Sequence, residues 1–170
     1  KPVSAGIVFV PIFAAVALLV LPFNWRYAAI IGCVVLSMAE GYFDDRSHGL
    51  SEYLLGAMDL GISFLAAVIL CQFHDYRIWL PLIKTPLMLP PLIFVPLATL
   101  VLWLMINATN CTDGVDGLSA SLSILAFIYL GGILYGVVGH QDISRYLLVP
   151  HYVEGADWAL MAFVMVGCLT

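Results

Sequence analysis

Long apolar stretches set the strongest limit on how this sequence can fold. Residues 5–21, 25–43, 50–73, 91–106 and 118–138 each carry few charges and approach the length that a helix needs to cross a bilayer. A sixth stretch begins near Trp158. Of the 170 residues, 63% are hydrophobic and 10% are charged, whereas soluble domains are about half apolar and a quarter charged. We therefore predict an all-α polytopic membrane protein with about six transmembrane helices in a single transmembrane domain, residues 1–170.

The connections between these stretches differ in character. Residues 75–90 are interrupted by prolines, which disfavours a helix and favours a short β-hairpin at the membrane interface. Residues 139–157 form a longer polar connection. Trp25 and Tyr27, at the start of the second span, are predicted to be aromatic anchors at the membrane surface.

Charge and cysteine content exclude several classes of function. The formal net charge is -5 and no run of lysine or arginine is present, which argues against binding to nucleic acid. The 4 cysteines lie in or beside apolar stretches without the paired spacing of a metal site or a disulfide framework. They are predicted to be small apolar filling residues.

A polar segment at residues 107–119 interrupts the apolar pattern between the fourth and fifth spans. It carries two carboxamides, two carboxylates and two glycines that each follow an aspartate. Glycine reaches left-handed dihedrals at little cost and lets backbone approach a ligand closely, so this segment is predicted to be a binding loop. Its chemically distinctive residues are Asn107, Asn110, Asp113, Gly114, Val115, Asp116 and Gly117.

A second acidic segment, Asp44 and Asp45, follows the second span. Two spans separate this loop from the Asn107 loop, and because that number is even, both loops are predicted to lie on the same side of the membrane. The distribution of lysine and arginine alone would place that side outside the cell. Carboxylate and amide oxygens are the ligands that Mg²⁺ prefers, and Mg²⁺ with phosphate commonly means phosphoryl transfer.

Two further acids lie within the predicted spans. Asp59 is a functional candidate because an ionisable group inside a membrane is costly, although a hydrogen bond to a neighbouring helix would also explain it. Glu40 lies one helical turn before Asp44, where it either supports that residue or faces lipid headgroups.

The two acidic segments carry a family resemblance. Residues 107–118, read as Asn-Ala-Thr-Asn-Cys-Thr-Asp-Gly-Val-Asp-Gly-Leu, resemble the signature loop of the polyprenyl-phosphate N-acetylhexosamine-1-phosphate transferases, and most closely the phospho-N-acetylmuramoyl-pentapeptide transferase branch. Residues 41–45, Gly-Tyr-Phe-Asp-Asp, resemble the paired-aspartate segment of the same family, and residues 1–6 are a weaker echo of another of its segments.

This resemblance implies a ten-helix membrane enzyme, of which this chain would form the third to eighth spans, with the hairpin on the extracytoplasmic side. The implied reaction joins UDP-N-acetylmuramoyl-pentapeptide to undecaprenyl phosphate with Mg²⁺ as cofactor, giving lipid I and UMP for peptidoglycan synthesis. The implied location is the bacterial inner membrane, with the active site on the cytoplasmic face and the lipid bilayer as surroundings. A homodimer is compatible with the resemblance, although no residue here indicates it.

The resemblance also implies roles for individual residues. Asp44 and Asp45 would activate the lipid phosphate or help to hold Mg²⁺, and Lys1 would reach a substrate phosphate. The nucleotide pocket would be lined by Asn107, Asn110, Asp113 and Asp116, with Gly114 and Val115 near the uracil. The family's principal metal-binding aspartate and its histidine-rich loop would lie beyond Thr170.

Two alternatives stay open at this point. The first is a sister enzyme that transfers N-acetylglucosamine 1-phosphate to a polyprenyl phosphate. The second is an ion-coupled transporter, in which Glu40, Asp59 and the Asn107 loop would bind a cation or proton. The transporter predicts inverted repeats and a site in the middle of the membrane, yet the sequence has no visible repeat and most acids lie at span ends.

Overall fold

The computed structural model describes residues 6–46, 51–71, 76–78, 87–112 and 117–170. These residues are predominantly helical, as predicted. In chain order the elements are α1 (Gly6–Val20), α2 (Trp25–Arg46), α3 (Glu52–Cys71), β1 (Tyr76–Ile78), β2 (Leu87–Leu89), α4 (Pro91–Thr112), α5 (Leu118–Ile133) with a π-helical turn at Leu134–Val138, α6 (Gln141–Tyr146) and α7 (Gly155–Leu169).

Four helical segments are long and apolar enough to cross a membrane: Trp25–Arg46, Glu52–Cys71, Pro91–Cys111 and Leu118–Val138. The helices α1 and α7 are also apolar but have 15 residues each, which corresponds to roughly 22 Å of helix against a hydrocarbon thickness of about 30 Å. The described residues therefore contain four candidate spans, whereas the sequence predicted about six.

Local sequence explains where several helices begin. The side chain of Asn24 caps α2 by accepting a hydrogen bond from the backbone N–H of Arg26 at 3.1 Å. Pro91 occupies the first position of α4, where its missing N–H costs no helical hydrogen bond. Gly117 has a φ of 80° immediately before α5, a backbone conformation that glycine adopts readily. The starts of α2, α4 and α5 therefore follow from residues at or next to those starts.

The helices pack in the order α4, α3, α2, α1, α7, α5, each against the next, with a lighter contact between α4 and α5. A buried apolar cluster joins α1, α2 and α7, and its members include Phe13, Ala17, Ile31 and Met161. Elsewhere many large apolar side chains are exposed, as expected for helices whose outer faces meet lipid.

The strands β1 and β2 pair antiparallel, with Tyr76 opposite Leu89 and Ile78 opposite Leu87. The segment that joins them, residues 79–86, lies outside the described residues. The placement of these strands on the extracytoplasmic side remains a prediction.

Candidate active site

The acidic pair Asp44 and Asp45 lies in the last turn of α2, not in a loop as the sequence suggested. The helix continues because no glycine or proline interrupts residues 42–46, and acidic side chains at a helix end can reach water. Asp44 is half-buried and Asp45 is exposed. Arg46, next along the chain, turns back to donate a hydrogen bond from Nη1 to the Tyr42 hydroxyl at 2.8 Å.

The two asparagines of the second motif also lie on a helix. Asn107 and Asn110 belong to the final turns of α4, where the sequence predicted that a loop had already begun. The Asn107 side chain donates from Nδ2 to the backbone oxygen of Trp103 at 2.9 Å, and Thr109 donates from Oγ1 to that of Met105 at 2.8 Å. Polar side chains that bond to the preceding turn do not need water, so the helix can extend to Thr112.

The remaining five predicted site residues are not among those that the structure describes. Asp113, Gly114, Val115, Asp116 and Lys1 lie outside the described residues. The structure therefore brings the described parts of both motifs to helix ends, while their contacts with these five residues stay a prediction.

The helices α2 and α4 both pack on α3, which places the acidic end of α2 and the amide end of α4 beside the same helix. Trp103 on α4 donates from Nε1 to the backbone oxygen of Gly56 on α3 at 2.9 Å. Glu40 on α2 and Asp59 on α3 are both buried in this pair of packed helices. Because Gly56 and Asp59 both lie in the first half of α3, the C-terminal parts of α2 and α4 flank that half. This arrangement agrees with the count of spans, which placed both motifs on one side of the membrane.

An open groove lies beside the amide end of α4. Its volume is about 270 Å³, and it runs between α4 and α5. The residues that line it are Ala108, Thr109, Ser119, Leu122, Ser123 and Ala126. The groove joins hydroxyl groups with apolar side chains next to the second motif, so this surface suits a ligand of mixed polarity.

The described residues fit Mg²⁺ only as part of a larger donor set. They contain no group of three or more histidine, cysteine, aspartate or glutamate side chains arranged for a metal ion. Mg²⁺ in phosphate-transfer sites commonly takes one or two carboxylates and completes its shell with water and substrate phosphates. The adjacent carboxylates of Asp44 and Asp45, at an accessible helix end, are compatible with that mode of binding.

The opposite end of the bundle carries a cluster of polar contacts that the sequence did not reveal. Arg26 pairs with Glu154 through both of its terminal nitrogens. Tyr27 donates from its hydroxyl to Asp157 at 2.9 Å and meets the Trp158 ring edge-on at a centroid distance of 5.2 Å. Tyr27 is buried, so its predicted role as an aromatic anchor at the membrane surface was wrong. These contacts tie the start of α2 to the start of α7.

The pairing with Arg26 changes the pKa of Glu154. Burial by itself would raise the pKa of the Glu154 carboxyl, but the hydrogen bond and positive charge of Arg26 outweigh burial and lower that pKa. Glu154 therefore stays ionised and bound to Arg26 at neutral pH.

Comparison with known proteins gives the sequence a family. The sequence model of glycosyl transferase family 4 matches residues 27–170. The chain is 39% identical over 173 residues to a protein of Treponema pallidum (strain Nichols) named phospho-N-acetylmuramoyl-pentapeptide-transferase, a match that covers 99% of this chain and 48% of that protein.

Proteins of the same name in two other bacteria match over nearly the whole chain as well. That of Wolinella succinogenes is 29% identical over 178 residues, and that of Helicobacter pylori (strain HPAG1) is 30% identical over 180 residues. Each match covers 99% of this chain and 50% of the relative. The chain thus spans about half the length of the curated relatives it matches. Because the family model covers most of its residues, the chain belongs to glycosyl transferase family 4.

Proposed function

We propose that this chain forms about half of a membrane enzyme that transfers phospho-N-acetylmuramoyl-pentapeptide from UDP to undecaprenyl phosphate. The products are lipid I, which serves peptidoglycan synthesis, and UMP. The observation that carries the proposal is the similarity along 99% of the chain to the Treponema pallidum protein of that name. The acidic pair and the Asn107 motif support it, since both are chemically suited to phosphate transfer.

In the proposed reaction, an oxygen of the lipid phosphate attacks the phosphorus that is linked to the sugar. The bond from this phosphorus to the UMP oxygen breaks, and UMP leaves with that electron pair. Mg²⁺, when bound, neutralises negative charge on the pyrophosphate. The protein's own contribution is mainly to hold the two substrates in line and to exclude competing geometries.

Asp44 and Asp45 are proposed to act on the acceptor lipid. Their place at the end of a membrane-spanning helix suits an acceptor whose hydrocarbon tail lies in the bilayer and whose phosphate lies at its surface. Asp45 is exposed and can accept a proton from the lipid phosphate, while the half-buried Asp44 is better placed to orient it. Both are proposed to contribute to holding Mg²⁺.

The nucleotide side of the site is proposed to be formed by the second motif. Asn107 and Asn110 present amide groups from the end of α4, and the segment with Asp113, Gly114, Val115 and Asp116 follows directly in the chain. Lys1 is proposed to contact a substrate phosphate. This face is proposed to be the cytoplasmic side of the bacterial inner membrane, from which a water-soluble UDP-linked substrate would reach the site.

The proposal is tested by measuring transfer of radiolabelled sugar phosphate to undecaprenyl phosphate with the full-length protein, with and without Mg²⁺. Both UDP-N-acetylmuramoyl-pentapeptide and UDP-N-acetylglucosamine are offered as donors. We expect Mg²⁺-dependent product from the first donor only. Product from the second donor alone would move the protein to the sister branch, and product from neither would refute the proposed function.

Substitution of the acidic pair tests the assignment of the site. Asp45→Asn keeps the size of the side chain but removes its charge and its ability to accept a proton, so we expect transfer to fall by about 10²-fold or more. Asp142→Asn is the matched control, because Asp142 is exposed in the first turn of α6, away from both motifs. Equal activity of the two variants would remove Asp45 from the site.

A further inference from the structure

Two buried carboxylic acids lie on neighbouring helices, Glu40 on α2 and Asp59 on α3. Glu40 is 5% exposed and Asp59 is 7% exposed. The helices that carry them pack on each other, and both side chains are buried in the bundle. Burial of this depth is unusual for acids, which are almost never fully buried without a partner.

Three buried polar atoms of these two helices lack partners among the described residues. Both carboxylate oxygens of Glu40 are buried without a hydrogen-bond partner there, and so is Oγ of Ser63. Ser63 lies one helical turn after Asp59 on the same buried stripe of α3, which continues with Ala67 and Cys71. An unpartnered buried carboxylate is expensive, so something other than these neighbours must neutralise it.

The helices around the pair offer no cation from their described residues. Neither α1, which packs on α2, nor α4, which packs on α3, contains a charged side chain. On α2, Arg26 is bound to Glu154 at the far end and Arg46 is turned toward Tyr42. The other charged groups on α2 and α3 are all acidic: Asp44, Asp45 and Glu52.

We propose that Glu40 and Asp59 share one proton and form a proton-binding site between α2 and α3, one helical turn from Asp44. Two ionised carboxylates side by side in a low-dielectric interior repel each other and lose their hydration, and one proton removes most of both costs. The protonated acid then donates a hydrogen bond to the ionised one. The pair holds a single negative charge, as in other carboxylate dyads that titrate as a unit.

This inference goes beyond the proposed transfer reaction, because the proton is held by groups that need touch neither substrate. Its test accordingly involves no turnover. Infrared spectra of the full-length protein in liposomes, recorded in H₂O and in D₂O at neutral pH, report the carbonyl stretch of protonated carboxylic acids directly. We expect such a band in the unsubstituted protein, with a shift in D₂O that marks an exchangeable acid proton.

Three variants assign the band. Glu40→Gln and Asp59→Asn each replace one acid of the pair with an amide. The amide N–H can donate to the remaining acid in its ionised form, so no proton needs to be shared. Either change is therefore expected to remove the band. Glu52→Gln is the matched control, because Glu52 lies on the same helix as Asp59 but is exposed in its first turn, and the band should persist. Labelling the side-chain carboxyl carbons of aspartate or of glutamate with ¹³C tests the assignment without any substitution, should a variant fail to fold.

The outcomes separate the proton from a metal ion. Absence of the band in the unsubstituted protein would overturn the proposal, and so would a band that survives both substitutions. Titration with Na⁺ in place of choline gives a further check. A shift of the ionised carboxylate bands with Na⁺, without any protonated band, would mean that a metal cation neutralises the pair.

Discussion

Replacing Trp103 with phenylalanine removes a side-chain hydrogen bond that links α4 to α3 beside the candidate site. The indole Nε1 donates to the backbone oxygen of Gly56 at 2.9 Å, and phenylalanine keeps an aromatic ring but has no donor. The carbonyl of Gly56 lies inside α3, where it can also accept the ordinary helical bond from four residues later. The substitution therefore removes one bond without leaving a buried acceptor wholly unpaired.

The size of the effect follows from that geometry. A neutral hydrogen bond contributes about 0.5–1.5 kcal/mol net to protein stability. Polar contacts between membrane helices average about 0.6 kcal/mol in double-mutant measurements. We expect Trp103→Phe to lower the free energy of unfolding by about 0.6–1 kcal/mol, which changes the ratio of folded to unfolded protein by up to roughly fivefold.

The measurement is the equilibrium unfolding of the full-length protein in bicelles, followed by steric trapping. Trp25→Phe is the matched control, since Trp25 is 61% exposed at the start of α2 and loses the same atoms. Indistinguishable stabilities of the two variants would show that the bond to Gly56 contributes nothing. A loss above about 2 kcal/mol for Trp103→Phe would exceed a single neutral bond and would point to packing instead.

Two other predictions concern the far end of the bundle. Because Arg26 lowers the pKa of Glu154, the ion pair stabilises the fold above the unfolded-state pKa of a glutamate, about 4.5, and this contribution is lost as pH falls through the lower folded-state value. Glu154→Gln should remove this acid-sensitive part of stability, at most about 1 kcal/mol, when unfolding is measured against pH. A methyl group at Gly155 would lie 2.8 Å from the backbone oxygen of Leu134, so Gly155→Ala should cost about 1–3 kcal/mol in thermal or denaturant unfolding. Gly167→Ala on the same helix meets no atom within 4 Å and should leave stability nearly unchanged.

The positions of the helices could largely be predicted from the sequence, because an apolar stretch of membrane-spanning length permits little else. The predicted fifth span, residues 118–138, coincides with the apolar segment Leu118–Val138. The ends of the helices were harder to predict. Asp44, Asp45, Asn107 and Asn110 were expected in loops because polar residues usually mark them, yet all four lie in final helical turns.

Long-range polar contacts could not be predicted at all. Arg26 and Glu154 are 128 residues apart, and the sequence around each residue does not indicate that the other is its partner. Tyr27 lies at the start of a span, where aromatic residues commonly lie at the membrane surface. Only the three-dimensional packing of α7 shows that its hydroxyl donates to Asp157. The sequence predicted only a longer polar connection at residues 139–157, and it did not reveal the short helix α6 within that segment. Such features depend on how distant helices meet, which no local periodicity records.

The hydrogen bond within the last turns of α4 fixes the chemical character of the surface that this helix offers. An asparagine amide has one acceptor group and two N–H donors, and Asn107 directs its nitrogen at the helix's own backbone. The carbonyl oxygen and the second N–H are then the parts of the amide left to meet a ligand. The oxygen can bind a cation or an N–H or O–H donor, whereas the remaining N–H can donate to an anionic oxygen, so this end of the helix offers a ligand one acceptor and one donor.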